Sequence, residues 1–162
     1  MPNVHLRNTI VGQVATQLET ITKANNYSRN VNRVFTTPPN TINTPTPAVV
    51  ITQGTETSTD YIGSIVERSL LVNLSFVDSY AGDDADGEAL EFLADIQTAM
   101  GSILSLTVSG TRSSGGAGSI SVRIEEDGNS LNFGDPIRGK IYGVASYRII
   151  YRTSAADPGL LP

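Results

Sequence analysis

The stretch KIYGVASYRIIYR, residues 140–152, constrains this chain more than any other. A β-strand turns successive side chains to opposite faces. On that period Ile141, Gly143, Ala145, Tyr147, Ile149 and Tyr151 form one apolar face. Its two small residues lie near the middle, where another element can come close. The other face carries Lys140, Tyr142, Ser146, Arg148 and Arg152, with Val144 and Ile150 among them, so all its charge is positive. Arg138 lies two residues upstream in the same phase. Seven acidic side chains and no basic ones fall between Asp78 and Asp95, among them Asp83, Asp84 and Asp86 at the start of a helical pattern. These opposite charges make two matching patches. We take Asp83, Asp84, Asp86, Arg138, Lys140, Arg148 and Arg152 as candidate contacts with a neighbouring subunit or partner.

The rest of the chain reads as alternating elements. Leu6, Ile10, Val14, Leu18 and Ile21, with Val11, place an amphipathic helix over residues 3–23, with Asn3 as N-cap and Asn25 or Asn26 as terminator. Residues 31–35 read as a short strand. The segment TTPPNTINTPTP at 36–47 is an extended connection, because proline fixes φ and lacks an amide hydrogen. Residues 48–52 and 68–77 read as two strands of an antiparallel hairpin, with the polar residues 53–60 as a long tip. Acidic residues from Asp83 to Glu88 suit a helix N-terminus, where negative charge is favourable. The following helix carries Ala89, Leu93, Ile96 and Met100 on one stripe. Either Gly101 ends it, and Leu104, Leu106 and Val108 begin a strand, or it runs on through Ile103. Residues 110–119 read as a Gly/Ser loop, 120–124 as a strand, 127–139 as a long loop and 154–162 as an extended tail. The segments 36–47, 53–60 and 110–119 are expected to be mobile in a free subunit and to order against neighbours. The fold class that results is α+β: one domain over residues 1–153, with a mostly antiparallel or mixed sheet of four to six strands and two helices on one face.

No motif for chemistry survives inspection. An EF-hand loop with Gly87 at its sixth position would start at Gly82 and end at Leu93, so the pattern fails. Gly110 to Gly115 has Walker spacing, but Gly116 and Ala117 stand where Lys and Ser/Thr belong. His5 is the only histidine and has no nucleophile motif near it. Glu125 and Glu126 run into a turn, where exposed carboxylates are the simpler account. The chain has no cysteine, which excludes disulfides and thiolate metal sites. We therefore expect no enzymatic activity, no metal and no cofactor. A net charge of −5 makes the chain a poor phosphate binder, and aromatics at 6% without Trp make a poor stacking platform, so no nucleic-acid partner is expected. Of 11 basic residues only Lys23 and Lys140 are lysine. Arginine suits ion pairs and interfaces; codon or lineage bias explains the skew equally well. No apolar run approaches the ~20 residues of a membrane helix, and the N-terminus lacks a signal-peptide core, so a soluble protein made in the cytoplasm is expected.

Three segments carry a family likeness. They are Pro47-Ala48-Val49-Val50-Ile51 followed by Gly54 and Glu56, Asp84-Ala85-Asp86-Gly87-Glu88-Ala89-Leu90 running to Asp95-Ile96, and Tyr147-Arg148-Ile149-Ile150-Tyr151-Arg152-Thr153. With the layout of helix, strands, helix and closing strands, they resemble the tail-terminator proteins of long-tailed bacteriophages over residues 3–153. The resemblance implies a small α/β domain that assembles into a hexameric ring, caps the tail tube and stops its polymerisation. It implies the tail tube protein and a head-side connector or stopper as partners, a place in the virion after assembly in the host cytoplasm, and neither catalysis nor cofactor. Another head–tail joining protein, such as a neck or head-closure ring, has the same sequence character. A monomeric binding module or small enzyme is the alternative from a different class, and a deep pocket with convergent polar groups would favour it.

Overall fold

The computed structural model describes residues 5–39, 45–80, 82–135 and 139–162, with backbone alone over 132–135. Two helices pack on one face of a single six-stranded mixed sheet that curls into a half-barrel. The elements are α1 (Leu6–Leu18), a single 3-10 turn (Lys23–Asn25), β1 (Arg33–Phe35), β2 (Ala48–Ile62), β3 (Ile65–Ser79), α2 (Ala85–Gly101), β4 (Ser105–Thr111), β5 (Ala117–Asp135) and β6 (Lys140–Ser154). The strand order is β1-β2-β3-β6-β5-β4. Only β1, beside β2, is parallel to its neighbour. The fold class is α+β with strands predominant, as expected from the sequence.

The alternation in β6 sorts as its residues dictate. Ile141, Ala145, Tyr147, Ile149 and Tyr151 are buried beneath the helices. On β3 the same face holds Leu70, Val72, Leu74 and Phe76, in register with Ile149, Tyr147, Ala145 and Gly143. A Cβ at Gly143 would stand 2.2 Å from Cζ of Phe76, so the Phe76 ring occupies the space that glycine leaves. Phe76 meets Phe92 of α2 at a centroid distance of 4.7 Å. From α1 come Leu6, Ile10, Val11, Val14 and Leu18. Each such side chain contributes about 1.5–3 kcal/mol on burial, so this shared face holds the sheet and helices together.

Several boundaries differ from those expected. Helix α1 spans Leu6–Leu18, with His5 as its N-cap; Asn3 lies outside the described residues. Its end comes before Asn25 because the Thr20 hydroxyl takes the Gln17 carbonyl and Thr22 turns extended; Asn26 then closes the 3-10 turn at φ 65. The expected long tip at 53–60 is strand: β2 runs on to Ile62, paired with β3 across the two-residue turn Gly63-Ser64. Thr55, Thr57 and Thr59 favour extended backbone although no face of this stretch is buried. The expected loop at 127–139 is likewise strand as far as Asp135, held by β6 through a bulge between Glu126 and Gly128. The Gly/Ser loop narrows to a turn between Thr111 and Ala117, where Gly115 and Gly116 both adopt φ 84, a conformation that side chains disfavour. Gly101 does end α2, and Leu106 and Val108 lie in β4. The connection at 36–47 falls partly outside the described residues. The 154–162 tail folds back: Leu161 is 1% exposed and exchanges backbone hydrogen bonds with Thr111 and Ser113.

Candidate interaction surfaces

The acidic run divides by direction. Asp84 is the N-cap of α2, and its Oδ1 accepts the Gly87 amide at 2.8 Å. Asp83 and Asp86 are exposed beside it, without a partner among the described residues. Asp78 and Asp95 turn inward instead, to a side chain that sequence reasoning passed over. Arg29 is 7% exposed; its Nη1 lies 2.6 Å from Asp78, its Nε 3.7 Å from Asp95, and its Nη2 donates to the Glu88 carbonyl at 2.9 Å. Its guanidinium also covers the Phe92 ring at 4.7 Å. Ser28 adds its amide and hydroxyl to the Asp95 carboxylate. One cation thus ties the segment after α1 to β3 and α2. Signals for it were present: Asp78 continues the inward alternation of Leu70 to Phe76, and Asp95 interrupts the apolar stripe beside Ile96. Two inward carboxylates require a buried cation.

The basic candidates lie on the opposite side of the sheet. Arg148 Nη2 reaches Asp127 at 3.0 and 3.1 Å. Arg152 Nε lies 3.3 Å from Glu67, its cross-strand neighbour, and its guanidinium covers Tyr61 at 3.9 Å. Lys140 donates to the Ser79 hydroxyl at 2.7 Å. Arg138 lies outside the described residues. The chain therefore does not bring Asp83, Asp84 and Asp86 together with Lys140, Arg148 and Arg152. Both arginines already have carboxylates of their own. Exposed pairs of this kind contribute only ~0.2–1 kcal/mol each.

A second polar cluster sits under the helix side of the hairpin. Tyr151 donates to Glu56 at 2.6 Å, and Arg68 bridges Glu56 at 3.1 Å and the Thr153 hydroxyl at 2.9 Å. Arg7 closes it by donating to Gln53. Burial, and then the hydrogen bond to Glu56, push the Tyr151 hydroxyl well above its ordinary value. His5, the only histidine, uses Nδ1 to accept the Arg7 amide at 3.3 Å. Among the described residues no group of three or more His, Cys, Asp or Glu could hold a metal ion. An open groove of about 660 Å³ runs past Lys23, Arg29, Asp84 and Glu91, where Arg29 is already paired with Asp78 and Glu91. A smaller groove of about 320 Å³ opens on the other face, lined by Val50, Phe76, Val77 and Tyr142 together with Thr46, Ser75 and Lys140. No helix among the described residues is long and apolar enough to cross a membrane.

Compared with protein-family models and with curated proteins, the chain matches none.

Proposed function

We propose that this chain is a structural protein of a long-tailed phage virion, a tail terminator that assembles as a ring, six copies by the family likeness. The ring caps the tail tube, halts its growth and offers its other surface to the head-side connector. One observation carries the reading. The α+β layout of helix, strands, helix and closing strand Lys140–Ser154 is the arrangement that the resemblance implies. The surfaces support it. A ring needs two different patches that meet head to tail. Among the described residues the acidic start of α2 and the basic stripe of β6 form no ion pair with each other, the arginines being paired with Asp127 and Glu67. The polar clusters are closed structural pairings, which suits a protein that acts by shape.

The test is tube growth. Polymerising tail tube protein with the purified chain should give tubes of limited length, with an extra density at one end in electron micrographs. Tubes of unchanged length and bare ends would reject the reading.

A further inference from the structure

The β2–β3 hairpin ends in an apolar tip that is largely exposed among the described residues, with the Arg152 guanidinium lying over the Tyr61 ring. Tyr61 and Ile62 are 46% and 69% exposed, and Ile62 pairs with Ile65 across the Gly63-Ser64 turn. A two-residue turn does not require isoleucine on either side. Each such side chain forgoes the stabilisation that burial would supply. The 320 Å³ apolar groove lies at the far end of the same two strands, over Val50, Val77 and the exposed ring of Tyr142. Val50 and Ile62 pair with Ser75 and Ile65, ten residues apart on β3, so at about 3.4 Å per residue roughly 30 Å keeps tip and groove of one chain apart.

We propose that the occupant of this groove is a second copy of the chain, which inserts its hairpin tip at Tyr61 and Ile62. The groove has room for one or two side chains, since a water takes about 30 Å³. Charge agrees with the apolar match. Asp60 is exposed with no partner among the described residues and lies two positions from Ile62, while Lys140 is one of the residues that line the groove. The Arg152 guanidinium over the Tyr61 ring holds this anchor in place before contact, which lowers the entropy lost on docking. Tip and groove are different surfaces, so the contact is heterologous and propagates from copy to copy. The inference rests on the ring reading only for closure of that chain of contacts.

The experiment uses the full chain, Ile62→Asp, Tyr142→Asp, and an equal mixture of the two variants, followed by light scattering after size exclusion. Both positions are exposed, so both variants should fold. Each variant alone should need at least tenfold more protein to assemble. The mixture should form dimers and stop, since only one good tip and one good groove remain per pair. The absence of native cysteine allows a direct check. Chains bearing Ile62→Cys mixed with chains bearing Tyr142→Cys should crosslink to heterodimers in preference to homodimers. Wild-type rings with both variants assembling normally would overturn the docking and leave the ring intact. Open filaments abolished by Ile62→Asp would sustain the docking and overturn the ring. A monomeric wild-type chain at every concentration would overturn both.

Discussion

Arg29 is the residue on which the most structure converges. Its guanidinium serves Asp78, Asp95 and the Glu88 carbonyl within 3.7 Å, all in a nearly dry site. Removing one partner of a buried pair leaves uncompensated charge, at a typical cost of about 3–5 kcal/mol. Arg29→Ala should therefore lower the urea unfolding free energy by about that much, and a loss under about 1 kcal/mol would show that the cluster is not a keystone. Two tyrosines of β6 make a contrasting pair. The Tyr151 hydroxyl donates to the Glu56 carboxylate, whereas the buried Tyr147 hydroxyl has no partner among the described residues. Tyr151→Phe should cost about 1.5–3 kcal/mol and Tyr147→Phe less than about 1 kcal/mol. Burial raises both hydroxyls above their ordinary value of 10.0, helped by Glu56 at Tyr151 and by Glu126 at Tyr147. Above pH 10 the unfolded chain releases these protons while the folded chain keeps them. Stability is thus full below pH 10 and falls as pH rises toward the folded-state values. The fall should be shallower in the double Phe variant, and equal slopes would contradict the assignment.

At the scale of elements, α2 separates a structural aspartate from its neighbours. Asp84→Ala removes the cap on the Gly87 amide and should cost about 0.5–2 kcal/mol in thermal or urea unfolding. Asp83→Ala, on the exposed residue before it, should stay within about 0.5 kcal/mol. Equal effects would mean that the acidic run acts only through its summed charge. Legibility in the sequence followed burial. Strands with one buried face, such as Leu70 to Phe76 and Ile141 to Tyr151, announce themselves through alternation. The far half of β2 and the second half of β5 are set by pairing to a neighbour rather than by burial, so they carry no period and read as loops. Leu161 was illegible for another reason: one anchor in a tail makes no pattern. The Gly101 ambiguity turns on strand pairing further along the chain. Leu106 pairs with Val122 and Val108 with Ile120, so sheet contacts decide where the helix stops.

At the scale of the whole molecule, the candidate charges were legible by residue but not by partner. Sequence alone cannot show that Arg148 and Arg152 lie across from Asp127 and Glu67. Those pairs limit what the stripe can add to assembly, and its effect should appear in association rate and register. Reversing Arg148 and Arg152 to Glu should slow ring assembly at low salt, less so at moderate salt, while the monomer stays folded. Reversing Asp83 and Asp86 to Lys in the same chain, with the Asp84 cap kept, should partly restore it. Unchanged assembly at both salt levels would remove charge pairing from the account and leave the apolar tip and groove. The proposed ring requires copies of this chain to close on themselves. Negative-stain microscopy of the purified protein tests it most directly: the account expects closed rings with six-fold symmetry, and fields of isolated monomers at concentrations well above those of assembly would contradict it.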